Sequence, residues 1–252
     1  MSSLNENKVS LVIPMFNEGL NVAPLLQEIH HQLCRIQTQT EIVVVDDGSI
    51  DNTYQELQKL ATELPNLTII RHRNNYGQSS AIHSGVLHAQ HGWIVTLDGD
   101  GQNDPQDIAA LLKIALDQPD SVPILITGRR IKRNDSLVRN CSAKIAYLFR
   151  NGLLRDGCHD TGCGLKIFRR EDFLRLPHFN HCHRFLPALF LRSGGKIISV
   201  PVNHRQRLRG ISKYGIYNRL WTGIVDTLGM MWLQRRKLLV DIQKIERSNA
   251  VS

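Results

Sequence analysis

The stretch Ile42-Val43-Val44-Val45-Asp46-Asp47-Gly48-Ser49 runs four apolar residues straight into two carboxylates and a glycine. Trp93-Ile94-Val95-Thr96-Leu97-Asp98-Gly99-Asp100-Gly101-Gln102 repeats the plan further along. Runs of β-formers without polar alternation read as strands covered on both faces, the habit of parallel sheets. Such a strand opens at its C-terminal tip, where ligands bind in open α/β sheets. Two acidic tips predict a site that holds a divalent cation and, through it, a phosphate-rich substrate.

Working outward, Val9 to Ile13 reads as a strand ending at Pro14-Met15-Phe16-Asn17-Glu18. Asn17 is placed as the cap of a helix with Leu20, Leu25, Leu26, Ile29 and Leu33 on its apolar face. Ser49 or Asp51 is expected to cap a second helix carrying Tyr54, Leu57, Leu60 and Leu64. Leu67 to Ile70 is a strand, followed by the turn Asn74-Asn75-Tyr76-Gly77 and a helix through Ala89. Pro105 starts another helix, and Pro123 to Thr127 is the fifth strand. This alternation predicts an α/β fold, a mostly parallel central sheet flanked by helices. After Gly128 the pattern loosens, with a helix over 137–154, strands over 165–168 and 196–202, and an amphipathic helix over 216–234. No repeat or linker interrupts the chain, which predicts a single domain over 1–252.

Composition bounds the partners. The 252 residues are 42% hydrophobic and 21% charged, ordinary for a globular protein, but the formal net charge is +8. Basic residues gather late, at 129–133, 205–209 and 235–237, which favours an anionic partner. Few aromatics lie among them and no recognition motif appears, which excludes nucleic acid. The odd count of 5 cysteines and a polar start predict a reducing, cytoplasmic setting without a secretory signal.

Asp98-x-Asp100-x-Gln102 presents three oxygen-bearing side chains at alternate positions, suited to a hard cation shared with phosphates; the alternative is a solvated acidic turn. Asp46-Asp47-Gly48-Ser49 suits hydrogen bonding to a base or ribose, or helix capping, or both. Cys158, His159, Cys163, His181, Cys182 and His183 lack the paired spacing of a zinc site. The segment 221–233, with basic residues after it, is too short and interrupted to span a membrane. Ile216, Leu220, Ile224, Leu228 and Met231 share one helical face there, which fits a helix lying in a membrane interface, a core-packing helix or an oligomer contact.

Taken in order, Val12 to Glu18, Val44 to Ser49, Asn75-Tyr76-Gly77-Gln78 and Leu97 to Pro105 resemble the signature of family 2 glycosyltransferases with the GT-A fold. Within that family the chain is most similar to polyprenyl-phosphate sugar transferases of the dolichol-phosphate mannosyltransferase type. Gly128-Arg129-Arg130, Asp160 to Lys166, and Arg207 to Gly215 add to the resemblance, which covers about residues 9 to 215.

The resemblance implies a nucleotide-binding half over 9–128, an acceptor-side half over 129–215 and an interfacial helix over 216–237. It implies donor binding by Pro14, Asn17, Glu18, Asp46, Asp47, Gly48, Ser49, Asn75, Gly77, Gln78 and Asp98, with Arg207 and Lys213 closing over the diphosphate. Mg2+ or Mn2+ is expected at Asp100 and Gln102, and Arg129 and Arg139 at the acceptor phosphate. The family's serine position four residues beyond Arg139 is Ala143 here, with Ser142 beside it as the substitute. Asp98, Asp100 and Arg129 are the expected catalytic groups. The Gln-x-x-Arg-Trp motif of processive members and C-terminal membrane spans are missing from the sequence.

The implied reaction is an inverting, metal-dependent sugar transfer from a GDP- or UDP-sugar to a polyprenyl phosphate at the cytosolic membrane face. A phosphate dianion needs no strong base, whereas a hydroxyl acceptor, the main alternative, requires a carboxylate such as Asp160 or Asp104. Arg130, Lys132 and Arg133 are expected as solvated charges or membrane contacts. A non-catalytic membrane-surface protein on the same fold is the reading from another class. A second copy of the chain or a separate membrane protein is left open as a partner.

Overall fold

The computed structural model describes residues 8–36, 38–119, 121–131, 147–206 and 216–236. Seven strands, β1 (Lys8–Met15), β2 (Gln39–Asp46), β3 (Leu67–Arg71), β4 (Trp93–Thr96), β5 (Ile124–Arg130), β6 (Lys166–Arg169) and β7 (Lys196–Val202), form one sheet in the order β3-β2-β1-β4-β6-β5-β7. β1 pairs in parallel with both β2 and β4, so the strand order reverses between β1 and β4. Ligands bind at such a switch point, beyond the carboxyl ends of the strands. β6 runs antiparallel to its neighbours β4 and β5, the one departure from parallel pairing among these strands.

Helices α1 (Gly19–Arg35), α2 (Thr53–Ala61) and α4 (Asp107–Leu116) alternate with the strands, and cover one face of the sheet. Val22, Leu25, Leu26, Ile29 and Leu33 recur at helical spacing on α1 and are buried against the even-numbered Ile42 and Val44 of β2. The other face is covered by α3 (Gln78–His88), the helical residues 147–154 (α5), α6 (Arg170–Leu174), α7 (Leu186–Arg192) and α8 (Ile216–Arg235). Phe168, Phe173 and Phe190 fill that layer, with the first two rings stacked at 4.9 Å.

Two local expectations need correction. Leu20 does not join the apolar face of α1; it is 64% exposed, because it faces away from the sheet in a first turn whose Gly19, Asn21 and Val22 are buried. Asn17 does not cap α1, since its own backbone is left-handed at φ 51° and its Oδ1 accepts the Ile50 N–H at 2.8 Å. The start of α1 is capped from the neighbouring loop instead, by Thr53 Oγ1 accepting from Glu18 N–H and Asp51 Oδ2 from Gly19 N–H. On α8, Thr227 and Met230 are buried against the protein, and Leu228 of the apolar face is 45% exposed.

Candidate active site

Parallel register brings the ends of β1, β2 and β4 to one edge, with Met15 beside Asp46 and Val12 beside Thr96. The loops that follow are stitched together before any ligand enters. Asp47 N–H donates to Met15 O at 2.8 Å, and Asn17 N–H donates to Ser49 Oγ at 2.8 Å. Gly48 turns at φ 72°, where a Cβ would meet the Asn74 backbone at 2.4 Å.

Asp46 is fully buried; its Oδ1 accepts Ser49 N–H at 3.0 Å, and its Oδ2 lies 3.5 Å from Arg71 Nε. Asp47 organises the loop opposite. Its carboxylate accepts from Tyr76 N–H at 3.0 Å, Gly77 N–H at 2.7 Å and His72 Nδ1 at 2.7 Å. His72 Nε2 in turn lies 2.9 Å from Ser84 Oγ on α3. Through this loop, with Asn75 Oδ1 accepting Gly77 N–H at 3.0 Å, Gln78 reaches the second acidic tip and donates to Asp98 Oδ1 at 2.8 Å.

The carboxyl of Asp98 lies flat on the Gly164 backbone, where a methyl group would come within 2.2 Å of it. Burial first, and then the charge of Asp100, push the Asp98 pKa up to about 6, against the opposing pull of Lys166, Arg130 and Gln78. Asp100 Oδ1 accepts Gln102 N–H at 3.1 Å. A cavity of about 130 Å3 opens beside it, lined by Asn21, Pro24, Leu25, Glu28, Asp100, Gly101 and Arg205. On the other side of the tip, a space of about 10 Å3, about one water, lies among Gln78, Asp98, Lys166 and His183. Lys166 is buried and donates to Cys163 O, while His183 meets Ser79 Oγ at 2.7 Å.

Among the described residues no three His, Cys, Asp or Glu side chains converge as a metal cluster. The carboxylates of Asp98 and Asp100, with the charge of Asp100 raising the proton affinity of Asp98, plus the amide oxygen of Gln102, nevertheless make a hard oxygen donor set. Such a set fits Mg2+ or Mn2+, cations that keep waters and share their coordination with phosphate.

The basic side departs from expectation. Arg129 is exposed, and it lines neither cavity. Arg130, expected as a solvated charge, is the inward residue: Nε donates to Asp160 Oδ2 at 2.7 Å and Nη2 to Asp160 Oδ1 at 2.6 Å. Its charge reaches Asp98. Successive strand residues face opposite ways, so Arg130 turns inward from β5 while Arg129 turns outward to solvent. Arg139, Ser142, Arg207 and Lys213 lie outside the described residues. Arg130, Lys166, His183 and Arg205 are site residues to which sequence reasoning gave no role. A lysine set within the apolar run Leu165-Lys166-Ile167-Phe168 was the available signal for Lys166.

Residues 10–176 match the model of Glycosyl transferase family 2. The chain belongs to glycosyl transferase family 2. Among curated members, it is 32% identical over 233 residues to dodecaprenyl-phosphate galacturonate synthase of Rhizobium johnstonii, covering 91% of this chain and 68% of that protein. It is 36% identical over 217 residues to an undecaprenyl-phosphate 4-deoxy-4-formamido-L-arabinose transferase of Photorhabdus laumondii, covering 85% of this chain and 65% of that one. The chain thus spans about two thirds of the length of these family 2 relatives.

Solved structures agree on architecture. Mannosyl-3-phosphoglycerate synthase of Rubrobacter xylanophilus superposes with a TM-score of 0.66 at 18% identity, covering 97% of this chain and 78% of that one. A mannosyltransferase of Pyrobaculum calidifontis, solved with GDP-Man and Mn2+, gives 0.58 at 20% identity, covering 90% and 63%. At such identities the likeness is one of fold, the GT-A fold of this family.

Proposed function

We propose that this family 2 protein transfers a sugar, with inversion, from a GDP- or UDP-sugar to a polyprenyl phosphate. The observation that carries this reading is the state of the carboxylates available as bases. Asp160 gives both oxygens to Arg130, and Asp104 accepts from Arg205 at 2.7 Å. A hydroxyl acceptor needs a free base; a phosphate dianion does not. The names of the two curated relatives described above, each a transferase or synthase named for a polyprenyl phosphate, point the same way.

In the proposed reaction an acceptor phosphate oxygen forms a bond to the anomeric carbon as the bond from that carbon to the diphosphate breaks. The nucleoside diphosphate leaves with the electron pair, and no proton transfer is needed. Asp98, Asp100 and Gln102 would hold Mg2+ or Mn2+, which supplies positive charge to the diphosphate. Pro14, Asn17, Glu18, the Asp46–Ser49 turn and the Asn75–Gln78 loop shape the nucleotide side. Arg130 places a fixed guanidinium beside Asp98, and Arg129, Arg139 and Ser142 are assigned to the acceptor phosphate, Arg207 and Lys213 to the donor diphosphate.

The acceptor implies a membrane surface. No helix among the described residues is long and apolar enough to cross a bilayer, while α8 exposes Val225, Leu228 and Trp232 on one side, followed by Arg235 and Arg236. Apolar residues with a basic end suit a helix lying in the interface, on the cytosolic face. The test is incubation with a panel of labelled nucleotide sugars, Mg2+ or Mn2+ and polyprenyl phosphate. Label moving into the organic phase from one donor supports the reading; label in a water-soluble glycan overturns it.

A further inference from the structure

We infer that Arg205 is a positioning residue for the 98–104 turn, setting Gln102 and Asp100 in the geometry that a divalent cation requires. This rests on the reading of Asp98, Asp100 and Gln102 as the cation site. Arg205 follows β7, far from that turn in sequence, yet is tied to it by backbone and side chain alike. Its N–H donates to Gln102 O at 2.9 Å, and Gln102 Nε2 donates back to Arg205 O at 3.4 Å. A carbonyl only accepts, so the amide end of Gln102 that faces it is the NH2 group. The amide oxygen is left for the cation.

The guanidinium then fixes the turn to α1. Nη1 and Nη2 each reach Glu28 at 2.8 Å in a fork, and Nη2 also reaches Asp104 Oδ1 at 2.7 Å. Neighbouring residues continue the seam: Asn103 bridges His204, and Asn203 N–H donates to Asp107 Oδ2 at 2.7 Å. Arg205, Glu28 and Asp100 line the same cavity. The Arg205 and Glu28 side chains are 33% and 32% exposed, and ion pairs that open to water add little to stability. The arrangement therefore acts through geometry. One planar fork joins the carboxylate of Glu28 on α1 to that of Asp104 in the turn, which a lysine ammonium cannot reproduce.

The test is Mn2+ titration of the full chain, alone and with UDP or GDP, following free Mn2+ by electron paramagnetic resonance, with thermal unfolding alongside. Partners that orient metal ligands typically contribute ten- to hundred-fold in affinity. Arg205→Ala is expected to weaken Mn2+ binding by about that factor. Arg205→Lys should restore little, Glu28→Gln should weaken binding less, and unfolding temperatures should stay close to wild type. Arg205→Ala and Glu28→Gln binding like wild type, while Asp100→Ala binds weakly, overturns the inference and leaves the cation reading standing. Wild type and Asp100→Ala binding alike overturns the cation reading and this inference with it. Should Arg205→Ala fail to fold, Glu28→Gln decides by the same comparison.

Discussion

Arg130 and Asp160 face each other across two parallel hydrogen bonds of 2.7 and 2.6 Å, and the Arg130 N–H adds a third at 3.2 Å. The side chains are only 14% and 8% exposed, so the pair is a desolvated fork rather than a surface bridge. It aims positive charge at the acidic tip and removes Asp160 from use as a base. Breaking one side leaves the other charge buried alone. Arg130→Ala is expected to lose about 3–5 kcal/mol in urea denaturation, and Arg130→Met with Asp160→Leu to lose less than that single change.

Asp98 gives the apo protein a pH signature. Its folded pKa of about 6 lies above the ordinary 3.8, so between those values the folded state holds more proton than the unfolded chain. This contribution to stability is full below about pH 4 and is lost as pH rises through 6, worth about 3 kcal/mol at 1.36 kcal/mol per pKa unit. Asp98→Asn should flatten the wild-type fall in stability over that window, measured by denaturation at fixed pH steps.

Gly164 is the floor under that carboxylate. Gly164→Ala puts a methyl within 2.2 Å of it and must displace Asp98. Misplacing a reacting group by about 1 Å can lower rates about 100-fold, so kcat/KM for sugar transfer should fall by at least tenfold. A variant that transfers at the wild-type rate would show that the Asp98 position is unimportant.

Asp47 accepts three N–H groups of the 72–77 loop, each bond to a charged acceptor contributing about 1.5–3 kcal/mol. Asp47→Ala should therefore lower the unfolding midpoint as well as weaken UDP or GDP binding. Weaker nucleotide binding at unchanged stability would make Asp47 a plain ligand contact.

The exposed stripe on α8 sets a membrane prediction. Val225→Glu, Leu228→Glu and Trp232→Glu combined should release the protein from anionic vesicles in a flotation assay. Full retention of vesicle binding would move the membrane contact elsewhere.

The strand tips were legible because long apolar runs ending in carboxylates leave few alternatives, and Asp46 and Asp98 do follow strands that end at one sheet edge, where Gln78 reaches Asp98. Cross-loop chemistry was not legible. Asn17 reads as a cap by residue type, but its left-handed backbone sends the side chain to Ile50 instead. The choice between Arg129 and Arg130 depends on strand parity, which adjacent arginines at a strand end do not reveal. Reversal of β6 was hidden because the connection from β5 to β6 is long, and direction follows from connection rather than pattern. Arg205 meets Glu28 across most of the chain, and no local spacing announces such a pair.

In the proposed reaction the acceptor supplies its own ionised nucleophile. The most direct measurement offers the protein one labelled nucleotide sugar with Mn2+ and compares a polyprenyl phosphate with the same polyprenol lacking the phosphate. Transfer is expected to the phosphate alone, as a glycosyl phosphate of inverted anomeric configuration. Comparable transfer to the free alcohol would contradict it.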